Sequence, residues 1–172
     1  MNYITVDIET NGVSPKNDDI LLISAVKIIN GEICDTFSKL VKPLRPQTEE
    51  LELFTNITNK ELEYAESLET VIKDFAEFAE GCTVVSYDEF EYNFLNYKGF
   101  SSDNVIYLRE YIKKNYPQIE KYIADAVIYA LGLEKDLKVL VNSPMFYKKT
   151  RLFYALKVAC IFTFVAGTHF EI

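Results

Sequence analysis

Residues 3–12 of the chain, YITVDIETNG, place two acidic residues at the end of an apolar, β-branched run. The composition of residues 3–8 predicts a central, buried strand. Side chains two residues apart on a strand point to the same face, so Asp7 and Glu9 are expected side by side. Asn11-Gly12 favours a turn and ends the strand.

The next segment predicts a hairpin beside this strand. A second β-rich run covers residues 20–29, and Asn30-Gly31 is a typical two-residue hairpin turn before a third run at 32–41. Pro43 and Pro46 end the third strand, because proline cannot donate to a sheet ladder.

Beyond the hairpin, apolar residues recur at helical rather than strand spacing. Thr58 and Glu61 have the spacing of a capping box. A short apolar run at 83–86 predicts one further strand. Helices are expected at 59–65, from 68 up to Gly81, and at 89–97, 105–114, 119–131 and 150–164, with a loop over 134–148. This order indicates the α/β class, with a mixed central sheet flanked by helices.

The composition limits the classes of function. The 172 residues include 18 Lys and Arg against 26 Asp and Glu, a formal net charge of −8, and 49% are hydrophobic. This apolar share excludes wholesale disorder. An acidic chain is a poor default binder of nucleic acid, because phosphates attract cations. No linker or repeat divides the chain, so a single domain over 1–172 is expected.

The sequence also predicts a cytoplasmic protein without a membrane segment. The longest apolar stretch, residues 158–167, is too short to cross a bilayer. The first residues lack the basic region of a targeting segment. Cys34, Cys82 and Cys160 share no short metal-ligand spacing, which favours free, buried thiols in a reducing compartment.

The two acids at the end of the first strand carry the sharpest chemical signal. Adjacent carboxylates repel and raise each other's pKa, and a divalent cation between them relieves the repulsion. Hard oxygen ligands suit Mg²⁺ or Mn²⁺. The alternative is a solvated strand face, and the apolar residues around Asp7 argue against it.

Three segments resemble motifs of one enzyme family, the DnaQ-like, or DEDD, 3′–5′ exonucleases, which include the proofreading subunit of bacterial DNA polymerase III. Residues 7–12, DIETNG, are similar to the family's Asp-x-Glu-Thr motif with its following Gly. Residues 55–58, TNIT, resemble its Thr-Gly-Ile-Thr segment, and residues 84–95, VVSYDEFEYNFL, resemble its second motif. The resemblance implies a ribonuclease H-like three-layer fold and metal-dependent hydrolysis of phosphodiesters.

The second motif departs from the family pattern. Ser86, Tyr87 and Asp88 replace His-Asn-Ala, and Glu91 replaces the metal-binding Asp. Glu91 keeps the charge with one more methylene group, so two interpretations stay open: a metal ligand or a solvated helix residue.

The third motif, His-x-Ala-Leu-x-Asp-Ala, has two competing alignments. One uses Asp125, with Glu120 at the His position. The other uses residues 149–155, KTRLFYA, and puts Lys149 at the His position and Tyr154 at the Asp position. We favour the second, because residues 116–133 resemble the segment that precedes this motif in the family.

The resemblance implies a role for each acid. Asp7 would bridge two Mg²⁺ or Mn²⁺ ions, Glu9 would bind the ion carrying the nucleophile, and Glu91 would help bind the other. Tyr154 removes one negative charge and Lys149 removes the general base, whose loss costs about 10²–10⁴ in rate. This favours a protein with weak or no nuclease activity and a binding or regulatory role. The alternative is an active Mg²⁺- or Mn²⁺-dependent 3′–5′ exonuclease on single-stranded DNA or RNA.

Three further residues are candidates for substrate binding. The resemblance places Thr10 and Asn11 beside the terminal nucleotide, and Tyr87 is the aromatic residue expected to stack on a base. The expected partners are single-stranded nucleic acid or a protein, either polymerase-like or regulatory. No membrane partner is expected.

Overall fold

The computed structural model of the protein describes residues 1–142, 151 and 153–169 of the chain. Within these residues, five strands form one mixed sheet in the order β3-β2-β1-β4-β5. Strands β1, β2 and β3 pair antiparallel, whereas β4 and β5 run parallel to β1. The strands are β1 (Asn2–Thr10), β2 (Ile20–Ile29), β3 (Glu32–Leu40), β4 (Thr83–Ser86) and β5 (Val105–Tyr107).

Helices cover both faces of the sheet and complete the ribonuclease H-like three-layer fold expected from the sequence. Helices α3 and α4 cover one face, and α5, α6 and α8 cover the other. The helices of the described residues are α1 (Glu49–Thr55), α2 (Asn59–Glu63), α3 (Leu68–Ala79), α4 (Glu89–Tyr97), α5 (Leu108–Asn115), α6 (Ala124–Ala130), α7 (Glu134–Val141) and α8 (Phe153–His169).

Strand β1 is central, and its two faces meet different helices. Ile4, Val6 and Ile8 are buried on the side of α3 and α4. On the opposite side, the Thr5 hydroxyl donates to the Ala155 carbonyl of α8 at 3.2 Å. Because side chains alternate along a strand, Asp7 points to the same side as Thr5, toward α8.

The turn and the helix cap that the sequence predicts are confirmed, because both depend only on residues close together in the chain. Asn30 and Gly31 adopt φ values of 52° and 83°, as the tight turn between β2 and β3 requires. The capping box of α2 is present in both directions: the Thr58 hydroxyl accepts from the Glu61 amide, and the Glu61 carboxylate accepts from the Thr58 amide. The strand expected at 83–86 and the helix expected at 89–97 have the same bounds as the observed β4 and α4.

Four elements differ from the prediction. The helix expected at 119–131 is shorter, since α6 covers only Ala124–Ala130. Residues 105–107 form strand β5 rather than the start of a helix, because they pair with β4. A helix replaces the first part of the predicted loop, as α7 covers Glu134–Val141; residues 143–148 lie outside the described residues. Helix α1 was not predicted, because it buries no residue and so lacks an apolar period.

No helix among the described residues is long and apolar enough to span a membrane. The cysteines Cys34, Cys82 and Cys160 are free thiols as expected, but only Cys160 is buried: Cys82 is half-buried and Cys34 is exposed.

Candidate functional site

The candidate site lies where the carboxyl ends of β1 and β4 meet. The two strands are parallel neighbours, with Val6 opposite Ser86, so both end at the same edge of the sheet. Helix α4 begins directly after β4, and the first turn of α8 packs over β1. This arrangement brings Asp7, Glu91 and Tyr154 to one place.

Asp7 is a buried carboxylate with acidic neighbours. Its residue is 7% exposed. Burial raises the pKa of Asp7 well above its ordinary value, and the charges of Glu9 and Glu91 raise it further; the Ile8 amide and the Lys157 cation act in the opposite direction. The surroundings of Asp7 therefore disfavour its ionised form on balance.

Glu9 follows Asp7 on the same strand face and is half-buried. Burial raises the pKa of Glu9 as well. The negative charge of Glu9 also raises the pKa of Asp7, which agrees with the expectation that the two side chains lie side by side.

Glu91 is buried and has a structural partner for its carboxylate. Its Oε2 atom lies 2.7 Å from the Ser86 hydroxyl and accepts from the Asp88 amide at 3.4 Å, which completes the capping box of α4. Burial raises the pKa of Glu91, and the Ser86 hydrogen bond opposes this. The expectation of a solvated helix residue is therefore wrong, since Glu91 is 7% exposed.

Of the two candidates for the third motif, Tyr154 is the one whose pKa is affected by the charge of Asp7. Burial raises the pKa of Tyr154, followed by the negative charges of Asp7 and Glu91, so the phenol is neutral. Asp125 lies on α6, with a side chain 70% exposed and paired with Lys157 at 2.6 Å. Lys149 lies outside the described residues.

Tyr87 corrects an expectation. The residue is 3% exposed, its hydroxyl donates to the Tyr122 carbonyl at 3.0 Å, and its ring meets Tyr154 edge to face with centroids 6.4 Å apart. The ring belongs to the core under α8. It therefore offers no free face on which a base could stack.

Thr10 and Asn11 are partly exposed and order the loop after β1. The Thr10 hydroxyl donates to the Gly12 carbonyl at 2.5 Å. The Asn11 side-chain oxygen accepts from the Asp19 amide at 2.7 Å, and the two backbones are hydrogen-bonded as well. Their side chains shape this loop, and a role in substrate binding stays a prediction.

The donor set does not fit a centre for two divalent ions. Within the described residues, no three His, Cys, Asp or Glu side chains gather closely enough to hold a metal ion. The Glu91 Oε2 atom is already hydrogen-bonded, and a neutral phenol stands at Tyr154. Asp7 and Glu9 supply hard oxygen atoms, but the negative charge around them is smaller than four carboxylates would give.

The sequence reasoning missed Lys157, a buried lysine on α8. Its ammonium pairs with Asp125 and lies 5.6 Å from the centroid of the Tyr154 ring. A signal was available, because Lys157 interrupts an otherwise apolar helix from Ala155 to Phe162. A lone cation in such a run requires a partner.

Comparisons with known proteins agree with the fold. The family model RNase_T, described as "Exonuclease", matches residues 4–138. DNA polymerase III PolC-type of Thermotoga petrophila is 33% identical over 137 residues, which cover 76% of this chain and 10% of that protein. The same-named protein of Streptococcus pyogenes serotype M18 is 29% identical, over 79% of this chain and 8% of its own length. The chain thus spans about a tenth of these relatives.

Two solved structures extend the similarity across α8, which lies beyond the family match. Exonuclease X in complex with 5′ overhanging duplex DNA has a TM-score of 0.75 at 21% identity, over 97% of this chain and 92% of that one. The nuclease domain of 3′hExo, a DEDDh family member bound to rAMP, has a TM-score of 0.77 at 18% identity, over 99% and 94%. At such low sequence identities, the structural similarity establishes the shared fold alone.

Proposed function

This chain belongs to the exonuclease family RNase_T, and from that premise we propose that it is a member with weak or no hydrolysis that acts by binding. The proposal rests on Tyr154: its phenol is neutral, the charge of Asp7 contributes to its raised pKa, and the favoured alignment assigns it to the position where the family has a carboxylate. The favoured alignment also places Lys149 at the general-base position, and the loss of a general base costs about 10²–10⁴ in rate.

We propose single-stranded nucleic acid as the partner. The support is the fold shared with Exonuclease X in complex with 5′ overhanging duplex DNA and with the 3′hExo nuclease domain bound to rAMP. A polymerase-related protein partner is a second candidate, favoured by the sequence match to PolC-type DNA polymerases III. The net charge of −8 means that nucleic-acid binding depends on local contacts rather than on overall attraction.

The second candidate function is a slow Mg²⁺- or Mn²⁺-dependent 3′–5′ exonuclease. The observation in its favour is that Asp7, Glu9 and Glu91 are all present and interact through their charges. Under this alternative, Asp7 and Glu9 would supply oxygen ligands to a single ion.

A degradation assay separates the two functions. The full chain and Asp7→Asn are incubated with a 5′-labelled single-stranded oligonucleotide in Mg²⁺ and in Mn²⁺, and binding is followed by fluorescence anisotropy in EDTA. We expect the unmodified chain to bind the oligonucleotide without shortening it. The time course of oligonucleotide length should therefore be the same for the unmodified chain and for Asp7→Asn. Glu77→Gln, which changes an exposed acid on α3, is the matched control. Shortening by the unmodified chain and by Glu77→Gln, abolished in Asp7→Asn, would establish the active enzyme instead.

A further inference from the structure

A cavity of about 350 Å³ lies beside the candidate site, where β5 ends and α4 begins. Its volume is within the range of pockets for small ligands, roughly 300–1,000 Å³. The cavity and the candidate site share Asp88, which lines the cavity while its backbone amide donates to Glu91 Oε2 at 3.4 Å. The lining consists of Asp88, Glu89, Tyr107, Arg109 and Glu110. A molecule bound at the candidate site therefore has this cavity as its neighbour.

Arg109 uses only part of its hydrogen-bonding capacity in this lining. Its Nη1 atom pairs with Asp88 Oδ2 at 3.0 Å. Its Nε atom is shielded from solvent and has no acceptor within the described part of the chain. A buried N–H group without an acceptor costs free energy. Since the side chain as a whole is 37% exposed, the guanidinium can turn toward a ligand that supplies this acceptor.

The first turn of α5 adds donors on the same side of the cavity. The helix begins at Leu108, and its N-cap residue Tyr107 makes no side-chain hydrogen bond to the first turn. Backbone N–H groups at the start of a helix have no partner within the helix and carry partial positive charge. The side formed by Arg109 and the start of α5 therefore favours the acceptor groups of a ligand.

The carboxylates of the lining impose the opposite requirement. Asp88, Glu89 and Glu110 bring three negative charges against the single positive charge of Arg109. Asp88 is paired with Arg109, and Glu110 is paired with Lys113 at 2.6 Å. Glu89 is exposed and forms no ion pair with any described residue. This charge repels a phosphate group and favours a ligand with N–H donors.

We propose that the cavity binds a guanine base of the single-stranded nucleic acid held at the candidate site. Guanine is uncharged and has acceptors and donors on different edges. Its O6 and N7 atoms accept from an arginine fork, and its N1–H and 2-amino groups donate to a carboxylate. The acceptor edge is assigned to Arg109 and the donor edge to Glu89, with Tyr107 as an aromatic surface for the base. The inference rests on the proposed function, because it names the base that the bound strand presents.

The other bases match this pattern of donors and acceptors less well. Adenine has an amino group where guanine has O6, so an adenine in the same place would oppose one N–H of Arg109. Thymine and uracil lack an amino group for Glu89, and cytosine has its donor and acceptors on a single edge. We therefore expect guanine to be preferred over adenine about tenfold, as for one good bidentate contact.

The test is fluorescence anisotropy of the full chain in EDTA with labelled oligo-dT strands. A single dG or dA is placed at each position near the 3′ end in turn. At one position, dG is expected to bind about tenfold more tightly than dA. Replacing that dG by 7-deazaguanine, which lacks the N7 acceptor, or by inosine, which lacks the 2-amino group, is expected to remove most of the gain.

Variants assign the preference to the cavity. Arg109→Lys keeps the charge but lacks the planar fork, so we expect it to bind oligo-dT normally and to lose the preference for dG. Glu89→Ala is expected to bind the dG and inosine strands equally. Arg109→Gln is a second variant, and Lys114→Gln is its matched control. Lys114 is exposed on α5 outside the lining, so Lys114→Gln is expected to keep the preference. Circular dichroism checks folding.

The outcomes separate this proposal from the proposed function. Strands that bind with equal affinity for dG and dA at every position would overturn the guanine site alone, as would a preference that survives in folded Arg109→Lys and Arg109→Gln. If no oligonucleotide binds, the proposed function is refuted, and saturation-transfer NMR with guanosine alone decides on the cavity. Contact that Arg109→Gln abolishes supports the guanine site. No contact, or contact with arginine amide instead, refutes it, and the latter assigns the cavity to a basic side chain of a protein partner.

Discussion

Asp7 lies where the fold makes a negative charge unfavourable. Burial comes first among the causes that raise its pKa, and Glu9 and Glu91 follow. Residues of functional sites often reduce the folding stability of a protein in this way, because their charge is retained for binding although it is unfavourable in a packed interior. The cost of this charge can be measured directly.

We expect Asp7→Asn to raise the melting temperature at pH 7 without metal, by about 2–4 °C for each kcal/mol of relieved repulsion. The raised pKa means that folded Asp7 binds a proton more readily than the unfolded residue does. Its cost is therefore present above the folded pKa and disappears as the pH falls. Thermal unfolding at several pH values measures this difference. Asp103→Asn, an exposed loop acid, is the control. A lower melting temperature for Asp7→Asn at neutral pH would contradict the prediction.

At the level of residues, the sequence predicts which side chains share a strand face but not which atoms they contact. The spacing of Asp7 and Glu9 follows from the period of a strand. The contact of Glu91 with Ser86 was not predictable, because it depends on how α4 leaves β4. Lys157 was missed for a related reason: its direction depends on the rotation of α8 over the sheet.

At the scale of elements, an ion pair joins α2 to Arg151, which lies two residues before α8 begins. Arg151 Nη2 lies 2.6 Å from Glu61 Oε1, while Glu61 Oε2 accepts from the Thr58 amide at 2.9 Å. The Ser24 hydroxyl also donates to the Arg151 carbonyl at 3.0 Å. Glu61 thus caps α2 and holds the chain that leads into α8, the helix that carries Tyr154.

We expect Glu61→Ala to lower the free energy of unfolding at pH 7 by about 1 kcal/mol, the usual net value of a hydrogen bond, since a partly exposed ion pair adds little. The Thr58 amide first, and then Arg151, lowers the pKa of Glu61 to about 2. Its stabilisation is therefore complete above the unfolded pKa of about 4.5 and is lost as the pH falls toward 2. Urea unfolding at pH 7 and near pH 2 measures the difference. A loss that is equal at both pH values, or matched by Glu77→Ala, would refute this role.

The elements that the sequence predicts well are those set by local chemistry, such as the hairpin at Asn30-Gly31 and the capped helix α2. Strand β5 was assigned to a helix, because its three residues become a strand only by pairing with β4. Helix α7 was assigned to a loop although Leu137, Leu140 and Val141 recur at helical spacing and pack against the core. Long-range pairing therefore accounts for β5, whereas the apolar spacing in α7 was an available signal.

For the whole molecule, the proposed function implies that the fold does not depend on divalent ions. A ligand present at about 100 times its dissociation constant stabilises by about 2.7 kcal/mol. For a chain of this size, that is a rise of about 5–11 °C. We expect millimolar Mg²⁺ to change the melting temperature by less than about 1 °C relative to EDTA. Differential scanning calorimetry measures this, with Asp7→Asn as the control for binding at other acids. A rise of several degrees that Asp7→Asn abolishes would contradict the proposed function.

The two edge strands of the sheet affect how copies of the chain can associate. Strand β3 forms one edge, and it carries Glu32, Asp35 and Lys39, the last paired with Glu66 and Asp74. Strand β5 forms the other edge and has only three residues. A strand added from another molecule would meet charged side chains at the β3 edge and few free backbone groups at the β5 edge. The sheet is therefore protected from pairing with the sheet of another molecule into a continuous β-assembly.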